Sequence, residues 1–202
     1  MQDNTTISLS KDDVIDLSKS APSLSNVRVC LGWDETRDAR GQEYDLDAMA
    51  FVCKVDEQGA PKLISNGFFV YFKHLASNDG AVVHQGDNLT GAGKDGDDKE
   101  QILVSLNRVS PEAGEISFFV NIYDAAKKGQ HFGNVRNAFI RLVDEDSGRE
   151  IARYNLTDDF SGATIVQFGS LFRSASGWDF KAIGAGFNVG LVDVLRKYGA
   201  NV

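Results

Sequence analysis

The chain has 202 residues, and its formal charge of −8 excludes a nucleic acid as the main partner, since such binding draws on clustered Lys and Arg. A hydrophobic content of 42% is enough for a core that needs no disulfide or metal. The N-terminal stretch lacks the cationic and apolar regions of a signal peptide and no apolar run could cross a bilayer, so we expect a cytoplasmic protein.

Short apolar runs separated by turn residues follow one another along the whole chain, which is typical of an all-β sandwich or barrel. The runs are spaced too closely for parallel β-α-β crossovers, and turns such as Glu57–Lys62 carry the Gly and Pro that close hairpins. No shift in composition marks a domain boundary, so we predict a single domain over residues 1–202. The predicted strands are Ile7–Leu9, Val14–Leu17, Val27–Trp33, Leu46–Val55, Phe68–Lys73, Ile102–Leu106, Ile116–Tyr123, Val135–Val143, Glu150–Leu156, Thr164–Arg173 and Trp178–Ala182.

Helical periodicity is concentrated near the C-terminus, between Phe187 and Gly199. One apolar stripe at helical spacing predicts a short helix that packs on the core, with Gly199 as its C-cap. A shorter helix or turn is predicted after Asp124, which is a suitable N-cap residue. The C-terminal stripe consists of Phe187, Leu191, Val194, Leu195 and Tyr198.

Sequence signals for an enzyme are weak. Cys30 and Cys53 lie in apolar runs, and we interpret them as small core residues, with a disulfide between them left open. His74, His84 and His131 show no metal-ligand spacing, and we interpret each as a hydrogen-bonded structural residue. No C-x-x-C, H-E-x-x-H or G-x-S-x-G motif occurs.

Two stretches concentrate the negative charge of the chain. Gly32–Ala48 has six acids against two arginines, a local charge of −4, and His84–Leu106 has five acids against two lysines, a local charge of −3. Carboxylate, amide and backbone carbonyl oxygens are the ligands that Ca²⁺ takes, and the glycines of the second stretch let backbone carbonyls turn inward. Calcium is therefore the predicted ion, and solvated acidic turns without an ion are the alternative.

The first acidic stretch has a spacing that suits chelation. Asp45 and Asp47 are two residues apart where a strand begins, so both side chains leave the same face. Asp34 ends the preceding predicted strand, and it lies at the same end of the sheet as Asp45 if the two strands are neighbours. The spacing does not match an EF-hand, so a calcium site here belongs to loops on a sandwich.

Several motifs together resemble the TerD family of tellurium-resistance and general stress proteins. They are "LGWD" at Leu31–Asp34, "YDLDAMAF" at Tyr44–Phe51, "HQGDNLTGAGKDGDDKE" at His84–Glu100, "NAFIRLVD" at Asn137–Asp144 and "EIARYNL" at Glu150–Leu156. The resemblance extends over nearly the whole chain. It implies a mainly β, two-sheet β-sandwich with acidic calcium-binding loops and a short C-terminal helix, and it implies no known catalytic activity.

The resemblance also implies a set of metal-binding residues. This chain departs from the family at Ala92, where a Glu is often found, and at Lys94 and Lys99, which look inserted around the acidic core of the loop. If the missing Glu contributes charge to the site, the affinity for calcium is lowered or only one of two ion sites fills. The residues implied are Asp34, Asp45, Asp47, Asp87, Asn88, Asp95, Asp97, Asp98, Glu100 and Asp124, with Asp34 and Asp124 as additions to the family motif.

Three functional hypotheses follow. The first is a non-catalytic calcium-binding module that recognises other proteins of the same stress-response system. The second is calcium-dependent membrane docking, which is not favoured because the loop carries Lys94, Lys99 and little apolar bulk. The third is a metal-dependent hydrolase, for which no catalytic base or cationic clamp is apparent. Direct chemistry on tellurite would need reactive thiols, which two buried cysteines do not supply.

Overall fold

The computed structural model describes residues 6–34, 38, 40–86, 97–156 and 160–202. Within them the chain forms two β-sheets packed face to face, with three short helices. The fold is therefore a mainly β, two-sheet sandwich with a short C-terminal helix, as predicted. No helix among the described residues is long and apolar enough to cross a membrane.

The first sheet has six strands in the order β1-β11-β10-β3-β8-β7. The pair β1 and β11 is parallel, and every other pair in this sheet is antiparallel. Its strands are β1 (Ile7–Leu9), β3 (Asn26–Gly32), β7 (Val82–His84), β8 (Glu100–Ser105), β10 (Phe139–Asp144) and β11 (Glu150–Asn155).

The second sheet is antiparallel throughout, in the order β2-β13-β12-β9-β4-β5, and a further short strand, β6, also pairs with β4. Its strands are β2 (Val14–Asp16), β4 (Leu46–Val55), β5 (Pro61–Leu63), β6 (Phe69–Val70), β9 (Glu115–Ile122), β12 (Ile165–Ser174) and β13 (Gly177–Phe187).

The central strands of the second sheet are buried on both faces. Every residue of β4 from Leu46 to Cys53 is buried, because one face packs on the first sheet and the other is covered by the C-terminal helix. The rings of Phe51 and Phe119 meet Tyr198 at centroid distances of 5.1 and 5.5 Å. Since side chains alternate along a strand, Asp47 lies on the same face as Phe51, towards the helix side.

The three helices are α1 (Leu17–Ser20), α2 (Ala125–Lys128) and α3 (Leu191–Lys197). The helix predicted after Asp124 is confirmed as α2, although the Asp124 side chain makes no capping hydrogen bond. The C-terminal helix is confirmed as well. Gly199 follows its last turn at φ +79°, and Ala200 N–H donates to Leu195 O, which is the Schellman arrangement that glycine favours.

The predicted strand bounds match the structure where the strand is fully buried. They differ from it where a helix cap or a turn sets the end of the strand. Leu46–Val55 is confirmed without a shift, whereas two short strands, β5 and β7, were missed. Leu17 begins α1 rather than ending β2, because the Asp16 carboxylate accepts hydrogen bonds from two backbone N–H groups of that helix. The strand predicted from Val135 begins only at Phe139, after Asn137 at φ +52°.

Two further predicted strands have different lengths in the structure. Of Phe68–Lys73 only Phe69–Val70 is a strand, because the chain turns back immediately afterwards. The strand predicted to stop at Ala182 continues to Phe187. Phe187 therefore belongs to β13, and the apolar stripe of α3 begins at Leu191 instead.

Four connections meet at one end of the sandwich. Gly32 at the end of β3 pairs with Phe139 at the start of β10, and Leu46 at the start of β4 pairs with Ile122 at the end of β9. The Asn134 side chain donates to Tyr44 Oη at 3.2 Å, which ties two of the connections together. We call this region the acidic end; it comprises the described residues 33–34, 38, 40–45, 85–86, 97–99, 123–138, 156 and 160–164 and the strand residues that adjoin them.

Candidate metal site

The described parts of both acidic stretches lie at the acidic end. The charges of the whole stretches, −4 and −3, make up −7 of the formal −8, so the rest of the chain is close to neutral. Asp34 and Asp45 border the same segment, but β3 and β4 are not neighbours in a sheet. They lie at the same end because segment 33–45 crosses from the first sheet to the second, so the adjacent-strand basis of that prediction was wrong.

The second sheet contributes Asp45, Asp47 and Asp124 to this end. Tyr123 N–H donates to Asp45 O at 2.8 Å, which fixes the start of β4 beside the end of β9. Asp47 is only 4% exposed although it is a carboxylate, and its register partner on β9 is Asn121. Two carboxylates and a side-chain amide therefore lie at the start of β4 and the end of β9, and all three groups offer oxygen donors.

Asp124 stands in an uncommon backbone conformation at this position. Its φ of +55° and ψ of +27° place it in the left-handed region, which Asp tolerates better than most residues. Its carboxylate lies 3.1 Å from Lys127 Nζ and is partly exposed. Asp124 is therefore accessible to an ion from solvent, at the edge of the group formed by Asp45 and Asp47.

The first sheet contributes Asp34, Asp97 and Glu100. Asp34 N–H donates to Arg136 O at 3.0 Å, and its carboxylate accepts from the Asn137 side chain. The Asp97 carbonyl oxygen lies against Gly32, where a Cβ would approach it to 2.7 Å. Asp34 and Asp97 thus adjoin the same strand end, with a backbone carbonyl among the available oxygens.

Glu100 forms a fully buried pair with His84. His84 Nε2 lies 2.9 Å from Glu100 Oε2, and neither side chain is exposed to solvent. Gly86 N–H donates to His84 Nδ1 at 3.2 Å, so in the neutral ring the proton is on Nε2, which faces the carboxylate. The pair joins the last residue of β7 to the first residue of β8, and so closes the base of segment 85–99.

Asp98 is held by an arginine. Arg141 Nε and Nη2 donate to its two oxygens at 2.8 and 2.7 Å, and Arg141 Nη1 donates to Glu150 Oε2 at 2.8 Å. The hydrogen bond to Asp98 is the main reason that the pKa of Arg141 is raised. Arg141 lies on β10, so these bonds anchor Asp98 to the first sheet, whereas Asp47 lies on β4 of the second sheet.

Three buried polar atoms at the acidic end were not singled out by the sequence. Trp33 Nε1, Gln130 Oε1 and His131 Nδ1 have no hydrogen-bond partner among the described residues. Gln130 is 2% exposed, and its Nε2 donates to Glu43 O at 3.2 Å, which orients the amide. Gln130 Oε1 is an oxygen of the kind calcium takes; no pattern in the sequence marked it, because it comes from the connection between β9 and β10.

The histidines and cysteines have largely the structural roles that were predicted. His74 Nδ1 lies 2.8 Å from Phe69 O and His84 pairs with Glu100, whereas His131 Nδ1 is the buried atom noted above. Cys30 and Cys53 are free thiols that are both buried, so the disulfide alternative was wrong. Burial is the main cause that raises the pKa of Cys30 to about 12, and it raises the pKa of Cys53 as well.

Part of the predicted ligand set lies outside the described residues, namely Asp87, Asn88 and Asp95. Among the residues that the structure describes, no three His, Cys, Asp or Glu side chains form a metal-binding group by themselves. The described ligand candidates therefore supply parts of a site from two sheets rather than a complete coordination shell.

Comparison with known proteins gives relatives over nearly the full length. The chain is 45% identical over 196 residues to the tellurium resistance protein TerD of Serratia marcescens, covering 97% of this chain and 98% of that protein. It is 43% identical over 197 residues to general stress protein 16U of Bacillus subtilis (strain 168), covering 98% and 99%.

A solved structure has the same fold. A crystal structure of a homologue of telluride resistance protein (TerD) from Streptomyces coelicolor A3(2) superposes with a TM-score of 0.66 at 25% identity. The match covers 86% of this chain and 96% of that one. The family model described as the TerD domain matches residues 5–198. The chain therefore belongs to the TerD domain family of tellurium-resistance and general stress proteins.

Proposed function

We propose that the protein is a non-catalytic calcium-binding module, and that calcium orders its acidic end for binding other proteins of the same stress-response system. The observation that carries the proposal is that the described parts of both acidic stretches lie at this one end. Like charges crowded on few loops repel one another, and a bound divalent cation offsets that repulsion. The relatives named for tellurium resistance and general stress support the cellular setting.

The donors available at the acidic end fit calcium. Carboxylates of Asp45, Asp47 and Asp34 lie there with the Asp97 carbonyl and the buried Gln130 Oε1. All are hard oxygen donors, and neither cysteine is among them, which favours Ca²⁺ over Zn²⁺ or copper. When bound, the ion supplies positive charge and fixes the loops; the residues of the chain hold and orient it.

The proposed ligands differ in how directly the geometry supports them. Asp45 and Asp47 have the most direct support, because they are close together at the start of β4 and Asp47 is almost wholly buried. Asp34, Asp97 and Asp124 follow. Glu100 is engaged with His84, and Asp98 with Arg141, so we assign both a structural role. The remaining proposed ligands are Asp87, Asn88 and Asp95, which the family resemblance supplies.

The absence of catalysis is part of the proposal. Both thiols are buried and protonated, and the pair of His84 and Glu100 has no exposed atoms through which a substrate could be reached. A nucleophile or general base needs access to the reacting atoms, and neither group has it.

Calorimetric titration of chelator-treated protein with CaCl₂ tests the proposal. We expect the parent to bind calcium and Asp47→Asn to bind it about tenfold more weakly or worse, because affinity depends on the number of charged ligands. Asp146→Asn is the matched control, since Asp146 is exposed in the turn between β10 and β11, away from the acidic end. A parent that releases no heat and shows no binding, or an Asp47→Asn protein that binds like the parent, would contradict the proposal.

A further inference from the structure

A two-residue turn carries the half-buried Phe72 and the exposed Lys73. Tyr71 N–H donates to His74 O at 3.0 Å and His74 N–H donates to Tyr71 O at 2.9 Å, so two backbone hydrogen bonds close the turn. The ring of Tyr71 stacks on that of Phe69 at 4.4 Å, which holds the base of the turn rigid. Because β6 runs antiparallel to β4, the turn that follows β6 points towards the acidic end.

Tyr123 extends this turn into a larger patch. Its ring lies 6.5 Å from that of Phe72, and it is 42% exposed, while Leu75 beside the turn is 47% exposed. Lys73 Nζ lies 5.2 Å from the Phe72 ring centre, and Lys128 Nζ lies 5.5 Å from that of Tyr123. Each of these two rings therefore has an ammonium group against it. We call Phe72, Lys73, Leu75, Tyr123 and Lys128 the aromatic–lysine rim.

The rim lies between the two acidic stretches. Tyr123 is tied by its backbone to Asp45, the residue that precedes β4. Leu75 O accepts from His84 N–H at 2.8 Å, and His84 precedes segment 85–99. The apolar bulk that the loop lacks in the sequence is thus supplied by a turn and a strand end next to the described acidic residues, and two lysines accompany it. Lys99, in contrast, is 7% exposed and is not a surface cation.

We propose that the aromatic–lysine rim docks the protein on anionic phospholipid membranes when calcium is bound. A tyrosine ring such as that of Tyr123 has a polar end and settles at the depth of lipid headgroups, while the Phe72 ring adds apolar area. Lysines near the surface are attracted to anionic lipids. A chain with a formal charge of −8 is repelled by such a surface unless cations neutralise its acidic end. The docking rests on the proposed function, because the ion bound by the acidic end removes this repulsion and can itself contact lipid phosphate.

Sedimentation with vesicles tests the docking. The full chain is mixed with phosphatidylcholine vesicles, with or without phosphatidylserine, in calcium or in chelator, and the bound fraction is measured. The variants are Phe72→Ser with Tyr123→Ser, and Lys73→Gln with Lys128→Gln. The matched control is Lys54→Gln with Val55→Ser, an exposed lysine and apolar residue at the opposite end of β4. Calorimetry on every variant records whether calcium binding is retained.

We expect the parent and the control to sediment with phosphatidylserine vesicles only in calcium. The lysine variant should lose about fivefold in partitioning for each lysine removed, and the aromatic variant should lose binding while its calcium affinity stays parental. A parent that binds calcium but does not sediment would overturn the docking and leave the proposed function standing. Equal sedimentation with both kinds of vesicle, or sedimentation in chelator, would also overturn it. A parent that binds no calcium overturns the proposed function and the docking together.

Discussion

Replacing Asp98 by Asn tests whether this carboxylate stabilises the fold or binds calcium. Asp98 accepts two charge-assisted hydrogen bonds from Arg141, at 2.8 and 2.7 Å, and its side chain is 10% exposed. A hydrogen bond to a charged group contributes about 1.5–3 kcal/mol, and Asn keeps one acceptor oxygen, so one such bond is lost. Arg141 is 29% exposed and retains Glu150, so water offsets part of that loss. We therefore expect the unfolding free energy to fall by about 1–2 kcal/mol.

The assay is denaturant unfolding in chelator together with calorimetric calcium titration. A loss of about 1–2 kcal/mol corresponds to a melting temperature lower by about 2–8 °C for a chain of this size. Glu150→Gln, which weakens one bond of the same Arg141, should cost about 0.5–1 kcal/mol, and Asp146→Asn should stay within about 0.5 kcal/mol. Calcium affinity should be parental in all three variants. Parental stability of Asp98→Asn in chelator, with calcium binding weakened about tenfold, would refute the reasoning and return Asp98 to the ligands.

Three further results are expected. Gly32→Ala should lower the unfolding free energy by about 1–3 kcal/mol, because the added Cβ would collide with the Phe139 ring and approach Asp97 O to 2.7 Å. An unchanged unfolding free energy would contradict this, because it would show that the neighbouring atoms move aside at little cost. Cys30 and Cys53 should react with a thiol reagent only on unfolding. The unfolding free energy should also fall as the pH rises above about 9. Burial raises the pKa of both thiols in the folded protein, so above that pH the unfolded chain releases thiol protons that the folded protein keeps. Rapid labelling of native protein would contradict this. Magnesium should raise the melting temperature less than calcium at equal concentration, since it dehydrates reluctantly and demands octahedral geometry, and an equal or larger effect would count against a calcium site.

The sequence predicted the fold class well because burial in this sandwich is nearly complete along the central strands. Leu46–Val55 was assigned without error, since an uninterrupted apolar run bounded by turn residues has little alternative to a buried strand. Short strands were missed for a physical reason. Val82–His84 has three residues, and it exists because it pairs with β8 at the edge of the first sheet. Its pairing partner is distant in sequence, and no local pattern of three residues encodes it.

The ligand set stays a prediction, and the hydrogen-bond partners of two of its members were not predicted. The acidic motifs pointed to one end of the molecule, and the described candidates do lie there. The pairing of Asp98 with Arg141, and of Glu100 with His84, could not be foreseen, because each partner comes from another strand of the first sheet. Gln130 Oε1 and the aromatic–lysine rim were missed because tertiary contacts, and no motif, bring them to this end.

The melting temperature of chelator-treated protein, measured with and without added CaCl₂, tests the central claim most directly. An ion bound only by the folded state stabilises it by about 2.7 kcal/mol at roughly a hundredfold excess over the dissociation constant. For a chain of this size that amounts to a rise of about 5–11 °C, which the chelator should reverse. A melting temperature that does not move in excess calcium would contradict the account and leave the acidic end as a set of solvated turns.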